Sequence, residues 1–113
     1  MITVLQKQTS VKLKAATLEK IESEYSFVVE IARKNIPRIS QNINGDVLVD
    51  YLSKWEDALS NKSMLMTLVA DNSDYGFDMW QINPFTGIFS PKERWNILRG
   101  KAFSEVKHEY KPT

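Results

Sequence analysis

Residues 77–95, FDMWQINPFTGIFSPKERW, hold more aromatic side chains than any other part of the chain. This stretch contains two of the three tryptophans and three of the five phenylalanines: Trp80, Trp95, Phe77, Phe85 and Phe89. Each such ring removes about 150–250 Å² of surface from water when it is buried. These residues must therefore lie in the hydrophobic core or under a bound partner, and the two fates imply different functions.

The chain has 113 residues, of which 42% are hydrophobic and 26% charged, a composition typical of a globular protein. We predict a single domain over residues 1–113. Cysteine is absent, which excludes disulfides and thiolate metal sites. The N-terminus lacks an apolar run of signal-peptide length, and no segment reaches the ~18–20 apolar residues of a membrane span. We therefore expect a cytoplasmic protein.

Apolar spacing predicts two helices in the first half of the chain. Over residues 17–35, apolar side chains recur at intervals of three and four, which places them on one helix face. Proline at position 37 predicts that this helix ends or kinks there. A second helix is predicted from Asp46, as its cap, to about Ser60. Residues 2–14 fit a strand or an earlier helix start, and we favour an extended segment that joins a sheet.

The middle of the chain predicts strands. Residues 63–70 form a continuous apolar run, residues 71–76 have turn chemistry, and residues 77–82 resume an extended pattern. Two such runs around a turn predict an antiparallel hairpin. Residues 88–89 are predicted to continue as a short third strand.

The best local signal is Ser90-Pro91-Lys92-Glu93, which predicts a capped helix start with proline at the first helical position. This last helix is predicted to bury Trp95 and Leu98, and either to break at Gly100 or to continue past it. The fold class predicted is α+β, with helices packed on one face of a small, mostly antiparallel sheet and a C-terminal helix.

The sequence shows no reaction signature. Glu105 and His108 form half of a di-iron motif, and one half is too few ligands for such a site. Asp71, Asp74 and Asp78 do not follow the spacing of a calcium-binding loop. Phosphate-binding loops and catalytic triads are absent. We predict that the protein is not an enzyme and uses no metal and no cofactor.

Charge is unevenly distributed, because residues 43–88 carry seven acidic and two basic groups. We expect Asp71, Asp74 and Asp78 to attract another protein, of basic character, and Trp80 and Phe85 to anchor it. The predicted function is a small protein-binding module that binds through an acidic aromatic hairpin. An inhibitor of the immunity or antitoxin type has this size and charge.

Two alternatives remain open. A nucleic-acid-binding regulator would use the basic groups of the last helix, Lys92, Arg94, Arg99 and Lys101, although a pI near 7.9 is low for a duplex binder. A homo-oligomeric structural protein, such as a homodimer, would use the second apolar face of the first helix, formed by Phe27 and Ile31.

Overall fold

A computed structural model describes residues 3–99, which form helices joined by short connections. The helices are α1 (Val4–Asn42), α2 (Asp46–Ala58), α3 (Lys62–Ala70), α4 (Asp74–Trp80) and α5 (Pro91–Leu98). No strand occurs among these described residues, so the predicted α+β fold with an antiparallel sheet is wrong. The fold is all-helical, and α1 packs against each of the other four helices.

Helix α1 begins at a capping box that our sequence analysis missed. The Thr3 hydroxyl accepts a hydrogen bond from the Gln6 amide at 3.1 Å, and the Gln6 side chain accepts from the Thr3 amide at 2.8 Å. These reciprocal bonds satisfy two amides that the start of a helix leaves unpaired. Residues 4–14 are therefore helical, and the extended segment predicted there is wrong.

Helix α1 contains the whole of the helix predicted over residues 17–35 and continues to Asn42. It bends at Glu24, whose backbone angles (φ −141°, ψ 51°) are not helical. An ion pair of 2.7 Å joins Glu24 to Lys20 across this bend. Of the end or kink predicted at Pro37, the end is wrong, because the backbone stays helical through this residue. Loss of one amide donor near the end of a long helix is a smaller cost than loss of its last turn.

Helix α2 agrees with its predicted range to within two residues at the C-terminal end, but Gly45 rather than Asp46 is its N-cap. Asp46 lies in the first turn, where a carboxylate suits the positive end of the helix dipole. Trp55 is fully buried on the inner face of α2. Its indole N–H donates to the carbonyl oxygen of Met79 at 2.8 Å, which joins α2 to α4.

Helices α3 and α4 occupy the residues for which a hairpin was predicted. Asn61 caps α3 and Ser73 caps α4, each by accepting a hydrogen bond from the amide three residues on, at 3.0 and 3.2 Å. Leu65 and Val69, four residues apart, are both fully buried. A continuous apolar run fits a buried helix as well as a buried strand. The caps therefore distinguish the two structures here, because a capped start is a helix signal.

Gly76 allows α4 to approach the end of α3 closely. A Cβ atom at this position would lie 2.0 Å from the carbonyl oxygen of Asp71, far inside contact distance. The same carbonyl oxygen accepts a hydrogen bond from the ammonium group of Lys14 on α1. Three helices therefore meet at this point, and only glycine leaves enough room for them.

Trp55, Trp80 and Phe85 form the aromatic centre of the core. The Phe85 ring lies edge-on to Trp55 at 5.4 Å between centroids and 5.8 Å from Trp80. All three side chains are buried. Trp80 and Phe85, the predicted anchors for a partner, are thus core residues, and the predicted acidic aromatic hairpin does not form.

Helix α5 begins as predicted, with Pro91 as its first residue and a capping box between Ser90 and Glu93. Its inner face buries Ile97, whereas the Trp95 side chain is 63% exposed, so the predicted burial of Trp95 is wrong. The predicted alternatives at Gly100 lie outside the described residues. Within residues 3–99, no helix combines the length and the apolar character needed to cross a bilayer.

Candidate binding cleft

A cleft of about 1050 Å³ lies between the first part of α1, the connection over residues 81–90 and the start of α5. We call it the α1–α5 cleft. Its floor is apolar and includes the buried side chains of Leu13, Phe85 and Ile88. Its walls carry uncharged polar side chains: Gln6, Thr9, Ser10, Gln81, Asn83 and Thr86. Apolar clefts with a few convergent polar groups are the commonest form of a binding site.

The connection between α4 and α5 is a turn that its own residues define. The Asn83 side chain donates to the Trp80 carbonyl at 2.7 Å and accepts from the Phe85 amide at 3.0 Å, on either side of Pro84. Gly87 has a φ of +100°, which an L side chain rarely adopts. These features direct Phe85 into the core and leave the neighbouring backbone at the wall of the cleft.

Asn35 of α1 attaches this turn to the rest of the protein. Its side-chain amide donates to the carbonyl oxygens of Pro84 and Thr86, both at 2.8 Å. Its carbonyl oxygen in turn accepts from the Arg38 guanidinium at 3.0 Å. One side chain therefore holds two points of the turn, of which Thr86 lines the cleft, about six helical turns from the residues of α1 that form the opposite wall.

Arg94 is the one charged side chain among the described residues that line the cleft. The capping box at Ser90 sets the start of its helix, and Lys12 of α1 holds the other end by donating to the Leu98 carbonyl at 3.1 Å. Trp95 follows Arg94 on the outer side of α5. Leu5 also lines the cleft and is 72% exposed. An apolar floor, one cation and two large exposed apolar side chains thus lie in one region.

The three aspartates predicted to bind a partner lie at the end of α3 and on α4. The Asp71 carboxylate accepts from the Ser73 amide at 2.9 Å, and these contacts with Ser73 lower the pKa of Asp71. Asp74 forms an ion pair of 3.5 Å with Lys7 of α1. Asp78 is exposed one turn further along α4. The acidic middle of the chain is therefore partly offset by basic groups from its N-terminal helix.

Lys14 is the most buried of these basic groups. Its ammonium lies 4.6 Å from the centre of the Phe77 ring and 5.9 Å from that of Trp80. Burial lowers the pKa of Lys14, and the nearby Asp71 carboxylate opposes that effect. A cation over aromatic faces is stabilised electrostatically. Trp80, one of the two aromatic residues predicted to anchor a partner protein, therefore lies near a cation of its own chain.

The residues of the nucleic-acid alternative are only partly described. Lys92, Arg94 and Arg99 are exposed on α5 and at its C-cap, whereas Lys101 lies outside the described residues. Of the two residues in the oligomer alternative, Phe27 is 40% exposed and Ile31 is half-buried. Both alternatives remain predictions.

The described part of the chain offers little support for a metal site. Residues 3–99 bring together no three histidine, cysteine, aspartate or glutamate side chains that could bind a metal ion. Glu105 and His108, the half motif noted in the sequence, lie outside that range.

Comparisons with protein-family models, with curated proteins and with solved structures found no match to this chain.

Our sequence analysis missed the wall that α1 contributes to the cleft. Thr9, Leu13 and Thr17 line it at intervals of four residues, which is one face of a helix. The signal for that helix is Thr3-x-x-Gln6, a capping-box pattern. Because residues 2–14 were predicted to be an extended segment and the helix to begin near Thr17, the three residues were not assigned to one helix face, and the site was missed.

Proposed function

We propose that the protein is a non-enzymatic protein-binding module and that the α1–α5 cleft is the site at which a segment of its partner docks. The observation that carries this proposal is a formed cleft with an apolar floor of Leu13, Phe85 and Ile88 that opens to solvent between two helices. A floor of this kind accepts an apolar side chain of a partner, as pockets at interface centres do.

Rigidity of the cleft walls supports the proposal. Asn35 and Asn83 hold the turn by four hydrogen bonds of 2.7 to 3.0 Å, and the capping box at Ser90 sets the direction of α5. Binding to a surface that is already ordered avoids the entropy cost of ordering it. The cleft can therefore bind a partner segment without first rearranging.

Exposed apolar side chains near the cleft also support a protein partner. Val4 is 74%, Leu5 72% and Trp95 63% exposed. Tryptophan is enriched among the residues that dominate binding energies at protein interfaces, and Trp55 and Trp80 are buried here. A protein partner would remove this surface from water.

The ionisable groups support binding rather than catalysis. General acid–base chemistry uses side chains that exchange a proton near the working pH. The described lining of the cleft offers Arg94 alone, and a guanidinium keeps its proton in proteins. Asp71 and Asp74 do not enter this proposal, because the ammonium groups of α1 already lie beside them. An inhibitor of the immunity or antitoxin type remains one class of protein with such a module.

The experiment blocks the cleft with a bulky side chain. A random dodecapeptide library displayed on phage is selected on the immobilised full-length chain, and enriched peptides are measured by fluorescence anisotropy. Thr9→Trp fills the cleft wall, whereas Gln8→Trp adds the same side chain at an exposed position that does not line the cleft. Circular dichroism confirms that both variants fold.

We expect the enriched peptides to bind the wild type and Gln8→Trp with similar affinity. We expect Thr9→Trp to bind these peptides at least about tenfold more weakly, which corresponds to about 1.4 kcal/mol of binding free energy. Equal binding to Thr9→Trp, or a selection that enriches no peptide, would contradict the proposal.

A further inference from the structure

We infer that the segment bound in the α1–α5 cleft is acidic, with a carboxylate that pairs with Arg94 and a large apolar side chain that fills the floor. This inference rests on the proposed function and names the chemistry of the partner. It reverses the expected sign of the partner's charge, because the sequence had suggested a basic protein.

The charge of the cleft is the first argument. Arg94 is the charged member of its described lining, and among residues 3–99 no carboxylate forms an ion pair with it. The adjacent carboxylate of Glu93 accepts from the Ser90 amide at 2.8 Å, as part of the cap. Among residues 3–99, the guanidinium is therefore left for an acidic group of a ligand.

The surroundings of Arg94 are the second argument. Its guanidinium carries a planar fork of donors that matches a carboxylate with two parallel hydrogen bonds. The apolar floor beside it excludes water once a ligand is bound, which strengthens such a pair. A carboxylate placed one or two residues from an apolar side chain would use both features together.

The arrangement favours a protein segment over a nucleic acid. A nucleic-acid strand is bound by a groove of several cations along its backbone, together with aromatic rings on which bases stack. The described lining of the cleft supplies one cation. Trp95 on α5 and Arg99 just past its end do not line the cleft, although both are exposed. Binding of a nucleic acid is therefore an outcome that the test must detect.

The test uses two phage libraries of dodecapeptides that differ only in a fixed central residue, glutamate or lysine. Both are selected on the wild type and on Arg94→Glu, whose new carboxylate replaces an exposed cation. Arg99→Glu is the matched control, because it makes the same charge change on an exposed residue just past the end of α5 that does not line the cleft. Arg94→Gln removes the charge without reversing it.

We expect the glutamate library to be enriched on the wild type and on Arg99→Glu, and the lysine library on Arg94→Glu. In an enriched peptide, glutamate→glutamine should weaken binding to the wild type by about 10- to 100-fold, which is the usual strength of a hydrogen bond to a charged group. The same peptide change should have little effect on binding to Arg94→Gln, because that variant already lacks the guanidinium charge with which the glutamate pairs.

Any one of the following results would overturn the inference. The first is enrichment of the lysine library on the wild type, and the second is an equal effect of Arg94→Glu and Arg99→Glu. The third is tight binding of labelled oligodeoxythymidine that competes with the peptides and weakens steeply with salt. If peptides bind regardless of charge but are lost in Thr9→Trp, the inference alone fails. If no peptide depends on Thr9, the proposed function fails as well.

Discussion

Asn35 offers a direct test of how the cleft wall is held. Asn35→Ala removes the amide that donates to the carbonyl oxygens of Pro84 and Thr86, both at 2.8 Å. Ile88, beyond that turn, supplies part of the floor, and its own amide donates to the Phe85 carbonyl at 3.1 Å. We expect the variant to fold with α1 intact and with the turn detached from it for a larger fraction of the time.

The size of the effect follows from the two hydrogen bonds. Each contributes about 0.5–1.5 kcal/mol net, so together they hold the turn closed by about 2 kcal/mol. That free energy corresponds to an approximately 30-fold rise in the local opening of the turn. Alanine is the better helix former by about 0.6 kcal/mol, which stabilises α1 but does not restore contact with the turn.

Native-state amide hydrogen exchange measures this opening. The Ile88 amide and the Phe85 amide, which donates to the Asn83 side chain at 3.0 Å, should exchange about 30-fold faster if they exchange through local opening. Asn42→Ala is the control, because among the described residues its side chain donates within α1, to the Arg38 carbonyl, and not to the turn. If the two variants exchange these amides at equal rates, Asn35 does not hold the turn.

Three further predictions concern the stability of the fold. Gly76→Ala should lower the free energy of unfolding in urea by about 1–3 kcal/mol, because the clash with the Asp71 carbonyl outweighs a helix-propensity gain of about 1 kcal/mol; a stabilised variant would contradict the close approach. Ser90→Ala should cost about 1 kcal/mol through loss of the α5 cap, measured by thermal unfolding, and an unchanged melting temperature would show that the cap is dispensable. Lys14→Met tests the buried ammonium, whose pKa is lowered below 10.5 by burial. Between that lowered pKa and 10.5, the unfolded chain binds the proton more tightly than the folded chain does, so the unfolding free energy of the wild type should rise with pH relative to Lys14→Met.

Sequence reasoning succeeded where the signal is local. Helix α2 and the start of α5 were predicted because apolar spacing and the Ser90 capping box act within a few residues of each other. The central part of α1 was predicted for the same reason. The start of α1 was equally local, in Thr3 and Gln6, but the prediction there rested on the alternation of Val11 and Leu13, and the cap was overlooked.

Predictions failed where the outcome depends on distant contacts. In a continuous apolar run such as residues 63–70, the period of a helix cannot be told from that of a strand. The helix there is supported by packing of Leu65 and Val69 in the core. Trp80 and Phe85 were equally suited to a core or to an interface. Trp55, 25 residues before Trp80 in the sequence, completes the cluster that buries them. A pattern read over ten residues cannot report such a contact.

The charge pattern shows most clearly how folding changes a functional prediction. Along the sequence, an acidic middle between two basic ends indicated a basic partner. In the fold, α1 brings Lys7 to Asp74 at 3.5 Å and Lys14 to the Asp71 carbonyl, so the N-terminal cations are used within the molecule. Arg94, among the described residues, faces a cleft that contains no carboxylate. Net charge counted along a chain cannot distinguish cations used internally from those left for a ligand, and it is from the latter that we infer the sign of the partner's charge.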